Sequence, residues 1–322
     1  MSTSAPDPDV REDLTVTADQ ARDLVRAALL GYGEAEAELA ARALVSAQAS
    51  GWPEFGLNLL LRDLAGLPSS PPPAPSPNPG AVAVLDGAGL PGPIALARAA
   101  LLAEQRAQTA GIGAVGVRDA TGTGRIGAYL RPLAERGRLA LTCAQSRPIV
   151  APYGGQRAVL GTNPVAVACP ATPPVVIDFA TSTASLAQVR RQAEAGEPLP
   201  PAAALDADGL PTQDPASVAT LLPEGLLGSL MGLTAEMLAG LLVGGRDFGP
   251  DGARGLFVLV LDPAAFGVGD LAERGTALAQ EWAAAGGHVP GASPEPSTCT
   301  VAEPIWAALQ TAASAQRTGD PA

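Results

Sequence analysis

Three observations predict an α/β protein. Helix-like stretches alternate with short apolar strand-like runs along most of the chain. Hydrophobic residues make up 47% of the 322 and charged residues 16%, a globular composition with ample material for a buried core. Gly122-Thr123-Gly124-Arg125-Ile126-Gly127 spells G-x-G-x-x-G between an apolar run and a helical one, a strand–turn–helix context.

Element by element, Thr15-Val16-Thr17 offers an N-cap, after which Ala21, Leu24, Val25, Ala28 and Leu29 recur at helical spacing until Gly31-Tyr32-Gly33. A second helix, Ala-rich with an acidic start, is expected from about Glu34 to Ser50. SSPPPAPSPNPG (69–80) reads as an extended connector, because its prolines lack the backbone donors of a helix or central strand. AVAVLDG (81–87) is a strand, PIALARAALLAEQRAQTAG (93–111) a long helix and IGAVGVRD (112–119) a strand. After the glycine loop come a helix, IGAYLRPLAERG (126–137), and a strand, RLALTCAQ (138–145). AVLGTNPVAVACP (158–170) and PVVIDFATS (174–182) make the middle strand-rich. A helix from about Ser185 to Ala195 precedes a Pro/Gly/Asp loop through Pro215, and residues 230–243 form a Leu/Ala-rich helix. GLFVLVLDPAAF (255–266) is a strand with a turn, followed by helices near 274–285 and over EPIWAALQTAASAQ (303–316). Three regions result: an N-terminal helical segment with its connector (1–80), a central α/β region holding the pocket (81–245), and a C-terminal part packing back on the first (246–322).

The formal net charge is −12, and all 20 basic residues are arginine. Such a chain repels phosphate backbones and anionic lipid, so neither nucleic acid nor membrane is an expected partner. Without lysine, Schiff-base, pyridoxal-phosphate and P-loop lysine chemistry are excluded. Cys143, Cys169 and Cys299 have no metal-ligand spacing, so no metal site is expected and a reduced, cytoplasmic setting is the simpler reading. MSTSAPDPDVRED contains no apolar core of a secretory signal. The most apolar run, Leu226 to Val243, contains Glu236 and several glycines, which suits a buried helix better than a membrane span.

On its own the hexapeptide supports two readings. A dinucleotide fold places an acid about 20 residues beyond its glycine loop. Here the next strand ends in Gln145-Ser146-Arg147 instead, where an arginine would suit a 2′-phosphate. A glycine-rich turn with no phosphate accounts for the residues equally well.

Longer stretches carry a resemblance. VAPYGGQRAVLGTNPVAVACP (150–170), VIDFATSTAS (176–185), LPPAAALDADGLPTQDP (199–215) and LTAEMLAGLLVGG (233–245), in this order, resemble the malate/L-lactate dehydrogenase-like family, which is distinct from the Rossmann-type lactate dehydrogenases. The likeness runs from about Leu14 to about Leu309, and Gly161-Thr162-Asn163-Pro164 with Asp178-Phe179-Ala180-Thr181-Ser182 is its most specific part. It implies a mixed sheet with surrounding helices, a non-Rossmann NAD(P) site, a homodimer, and reduction of 2-keto acids or cyclic imino acids or the reverse reaction.

Several family residues are replaced. The family's R-G-H-x-S-H-G falls on Ser50-Gly51-Trp52-Pro53-Glu54-Phe55-Gly56, so the arginine expected to hold a carboxylate is Ser50 and a histidine is Phe55. Its N-S-N-H-F-G, whose histidine moves the proton, falls on Asp119 to Gly124 and puts Gly122 at that histidine. K-G-x-G-L becomes Leu227 to Met231, and P-G-E becomes Pro290-Gly291-Ala292. The one histidine, His288, lies at neither catalytic position and reads as an exposed loop residue.

Glu54, in the slot of the family's serine, is a candidate general acid–base, with Asp178 and Tyr129 as further catalytic candidates. Trp52, Phe55, Thr121, Gly122, Thr123, Asn163 and Thr181 are expected to line a substrate pocket. Gly161, Thr162, Asp178 and Arg147 would bind a cofactor if one is retained, with Arg125 a further possible anion partner. Because the replacements remove charge, the expected pocket is roomier and more apolar, and no cofactor is expected. The favoured expectation is a repurposed fold that binds a bulky apolar small molecule and performs a non-redox cyclisation or isomerisation in secondary biosynthesis. The alternatives are an NAD(P)H-dependent oxidoreductase with a changed proton donor, and a non-catalytic dimeric binding partner.

Overall fold

The computed structural model describes residues 13–64, 80–245 and 254–318. The proline-rich connector lies almost wholly outside them, as does the start of the chain.

Strand β1 (Asp13–Thr17) leads into helix α1 (Ala18–Leu29) through a full capping box. The Gln20 N–H donates to Thr17 Oγ1 at 3.1 Å, and the Thr17 N–H donates to Gln20 Oε1 at 3.0 Å. Helices α2 (Glu34–Ala49) and α3 (Leu57–Leu64) follow, with a 3-10 turn, Pro53–Phe55, between them. Then come β2 (Val82–Asp86), α4 (Gly92–Ala110), β3 (Ile112–Ala120), α5 (Gly127–Glu135), β4 (Leu139–Ala144), β5 (Val165–Cys169) and β6 (Val175–Phe179). Helix α6 (Leu186–Ala195) precedes three short strands, β7 (Ala204–Leu205), β8 (Pro211–Thr212) and β9 (Thr220–Leu221). Helix α7 (Gly225–Ala235) continues as a π-helical segment, Glu236–Leu241. Strand β10 (Arg254–Leu261), α8 (Leu271–Ala284), β11 (Thr298–Ala302) and α9 (Glu303–Thr318) complete the described chain.

The main sheet has the order β2-β3-β10-β4-β5-β6. Only β2 and β3 run parallel; the other pairs are antiparallel. The glycine loop therefore does not open a parallel, nucleotide-binding half-sheet of the Rossmann type. Strand β10 inserts between β3 and β4, with Val258 opposite Val115 on one side and Thr142 on the other. Its apolar run, RGLFVLVL, suits a strand paired on both edges. Helix α4 covers β3 and β10 with Ile94, Leu96 and a row of buried alanines, and α5 adds Tyr129, Leu130 and Leu133 to the same core. Each large side chain buried there contributes about 1.5–3 kcal/mol.

The structure differs from the sequence reading in three places. Thr15-Val16-Thr17 is a strand as well as a cap, because β11 pairs with it, setting Val16 opposite Cys299. The loop read through Pro215 contains β7 and β8, whose two-residue pairings are too short to leave a periodic signal. The run from Leu226 is not buried: Leu226, Leu227, Leu230, Leu233, Met237, Leu241 and Leu242 are exposed. Small residues face the body instead. Gly228 and Gly232 pack on Thr181, where added Cβ atoms would stand 2.5 Å from its carbonyl oxygen and 2.9 Å from its Oγ1. The leucines of α7 are thus turned outward. Among the described residues, no helix is long and apolar enough to cross a membrane.

Candidate active site

The loop after β3 packs against two segments distant in sequence. Gly124 has φ +75°, and a Cβ there would stand 2.6 Å from the Phe55 carbonyl oxygen, so only glycine lets the loop close on the 53–55 turn. At the start of α5, the Gly127 N–H donates to Asp178 Oδ2 at 3.0 Å. The protein's own carboxylate thus occupies the helix N-terminus that a fingerprint reading would give to a phosphate. Arg125 Nε lies 3.9 Å from the same oxygen. Burial raises the Asp178 pKa, against the lowering effects of the Gly127 hydrogen bond and Arg125.

Glu54 and Trp52 meet a residue that the sequence did not flag. Arg191, on α6, sets Nη1 3.8 Å from Glu54 Oε1 and its guanidinium carbon 4.3 Å from the Trp52 ring centroid. The Trp52 and Phe55 rings are 6.1 Å apart. Glu54 Oε1 is buried and has no hydrogen-bond partner.

Beneath the loop, Tyr129 is fully buried and its hydroxyl donates to the Thr123 carbonyl at 3.2 Å. Burial, then the charge of Asp63, pushes its pKa far up, so the hydroxyl serves as a loop anchor in this geometry. Thr121 Oγ1 donates to Asp63 Oδ2 at 2.9 Å and accepts the Gly92 N–H at 2.7 Å. Asp63 also accepts that N–H at 3.2 Å; burial raises its pKa, against these hydrogen bonds and Arg62. Arg62 and Asp63 were also missed, although a charged pair closing the leucine-rich LNLLLRDL was the available signal.

Asn163, Gly161, Thr162 and Thr181 form a second group at the junction of β4, β5 and α7. Asn163 Oδ1 accepts the Ser146 N–H at 2.9 Å, and Nδ2 donates to the Gly232 carbonyl at 3.0 Å and Glu236 Oε2 at 2.9 Å. Gln145 Nε2 donates to Glu236 Oε1 at 2.9 Å, and Gln145 Oε1 accepts the Gly255 N–H at 3.1 Å. Both amide protons of Asn163 are thereby committed to the fold. The Thr181 N–H and Oγ1 each donate to the Thr162 carbonyl at 3.0 Å, and Gly161 packs against the Ser146 carbonyl. Arg147 follows Ser146 directly, and its charge bears on Arg254 at the start of β10.

The surroundings of Gly122 are cationic, where an apolar lining was expected. A Cβ at Gly122 would stand 3.3 Å from Arg254 Nη1 and 3.4 Å from Arg62 Nη2. Arg62 comes from α3 and Arg254 from the start of β10. Arg254 Nε is buried without a hydrogen-bond partner. An unfilled cationic donor of this kind fits a phosphate-bearing cofactor or an acidic substrate, and does not fit a purely apolar ligand. Elsewhere, burial pushes the Cys143 thiol up to about 12, leaving it unreactive near neutrality. His288 is exposed in its loop, away from the residues above.

A match to the malate/L-lactate dehydrogenase family spans residues 16–294, and the chain belongs to that family. It is 32% identical over 289 residues to a Δ1-pyrroline-2-carboxylate reductase of Ancylobacter novellus, covering 83% of this chain and 84% of that one. It is 34% identical over 278 residues to a (2R)-3-sulfolactate dehydrogenase (NADP(+)) of Chromohalobacter salexigens, covering 80% and 83%. The crystal structure of Δ1-piperideine-2-carboxylate reductase from Pseudomonas syringae pv. tomato superposes with a TM-score of 0.79 at 28% identity, covering 93% and 99%.

These findings overturn the favoured expectation. Relatives similar over most of the chain are named reductases and dehydrogenases, so the non-redox cyclisation or isomerisation, the secondary-biosynthesis setting and the absence of a cofactor are all withdrawn. The apolar expectation followed from Ser50, Phe55 and Gly122 alone, whereas the fold sets Arg62 and Arg254 beside Gly122.

Proposed function

We propose that the chain is an NAD(P)H-dependent oxidoreductase that reduces a C=N or C=O bond of a small organic acid, or runs the reverse reaction, with a changed proton donor. The observation that carries this reading is the alignment, over 80% or more of the chain, with relatives named as a reductase and an NADP(+)-linked dehydrogenase. When bound, the nicotinamide supplies the hydride. The residues proposed to hold the cofactor are Gly161, Thr162, Asp178 and Arg147.

This chain's own task is to deliver a proton once hydride leaves charge on the substrate. Asp178 is the proposed donor: its Oδ2 accepts the Gly127 N–H, leaving Oδ1 to carry the proton, and burial favours the protonated form. Glu54 is the second candidate, its Oε1 buried, without a hydrogen bond and 3.8 Å from Arg191 Nη1. Trp52, Phe55, Thr121, Gly122 and Thr123 border the substrate in this reading.

A second copy of the chain is proposed to cover the exposed leucines of α7, giving a homodimer. Three free cysteines suit a reducing, cytoplasmic setting. Titration with NADH and NADPH, followed by the nicotinamide fluorescence, is expected to show micromolar affinity for one of them. Absence of binding at millimolar concentration would defeat the proposal.

A further inference from the structure

We infer that Arg254 and Arg62, converging on Gly122, form an oxyanion subsite that holds the acid group of the substrate, in place of the clamp missing at Ser50. The inference rests on the oxidoreductase reading for the word substrate, but the subsite itself stands on geometry. Gly122 has no side chain, and both guanidiniums close on it: a Cβ there would stand only 3.3 Å from Arg254 Nη1 and 3.4 Å from Arg62 Nη2. A larger side chain at position 122 would have to displace these guanidiniums.

The charge balance points the same way. Among the described residues, the charges that bear on Arg254 are those of Arg62, Arg147 and Arg190, which disfavour its charged form, and of Asp63, which favours it. That aspartate is already engaged: its Oδ2 takes Thr121 and the Gly92 N–H, and its Oδ1 is 3.7 Å from Arg62 Nη2. Burial, and then the charges of Arg62 and Arg147, hold Arg254 below the usual guanidinium pKa, so an anion arriving there relieves a repulsion built into the fold. Arg254 Nε is a buried donor with no acceptor. A planar guanidinium pairs with carboxylate or sulfonate through two parallel hydrogen bonds.

The test is calorimetric titration of the purified full chain with sodium sulfate and sodium oxalate, against chloride at matched ionic strength, with and without saturating NADPH. Wild type is expected to bind both anions, also when NADPH is present. Arg254→Gln should weaken them by about tenfold or more, and Arg254→Lys by less. Arg62→Gln, on a more exposed side chain, serves as the second variant should Arg254→Gln not fold; it too should weaken anion binding. In turnover, KM for the acid substrate should rise while kcat changes little. Equal anion affinity in wild type and both glutamine variants would overturn the subsite. Competition between sulfate and NADPH, with NADPH affinity falling in Arg254→Gln, would overturn its assignment to the substrate and give it to a cofactor phosphate. Arginine-dependent anion binding without any NADPH binding would support the subsite while defeating the oxidoreductase reading.

Discussion

Asp178 concentrates the chemistry of the site at one carboxyl. Its Oδ2 caps α5 at Gly127, and burial raises its pKa, so a protonated, donating form persists above the usual carboxylate range. Reduction should therefore slow as pH rises and Asp178 loses its proton. Asp178→Asn should remove that pH limb and lower kcat by about 10²-fold or more, while Glu54→Gln changes kcat only a few-fold. Rate–pH profiles of both variants decide between the two carboxyls; the opposite pattern would assign the proton to Glu54. The stability effect has the same sign. A raised folded-state pKa means that the Asp178 contribution is complete below the unfolded value of about 3.9 and declines as pH rises through the folded one. Glu54 and Arg191 form a partly exposed pair, so Glu54→Gln should cost less than about 1 kcal/mol in urea unfolding.

At the level of elements, the site depends on backbones that approach closely. Strand β10 begins against the π-helical segment that follows α7, where Gly255 packs on the Ala239 carbonyl while its N–H donates to Gln145 Oε1. Gly255→Ala would force these elements apart and disturb Arg254 beside it. Overpacking of this kind costs about 1–3 kcal/mol, and a lowered urea midpoint together with weakened sulfate binding is the expected result. Helices α1, α2 and α4 were legible because their signals are local: a capping box, an apolar period and an αL glycine, Gly111, at the end of α4. The outward face of α7 was not legible. LLGSLMGL is apolar all round, and only the approach of Gly228 and Gly232 to Thr181 decides which side is covered.

For the whole molecule, the leucines of α7 stand out as an exposed apolar row among the described residues. Leu227, 77% exposed, contributes nothing to the core of its own chain. Leu227→Asp should leave the circular dichroism spectrum unchanged and convert a dimer to a monomer in light scattering after gel filtration. A monomeric wild type would refute the proposed homodimer. The sequence alone established the α/β class, most of the helices and strands, and the family, because periodicity, caps and contiguous motifs are written in neighbouring residues. The resemblance also implies Gly122 in place of a family histidine. Only the tertiary structure set arginines beside Gly122. Arg62 on α3 and Arg254 on β10 come from opposite parts of the chain, and they meet because β10 inserts beside β3 and brings its first residue to the loop that β3 feeds. Charge removed from a motif can be counted along the sequence, whereas charge returned from a distant strand is a consequence of strand order, set by non-local pairing.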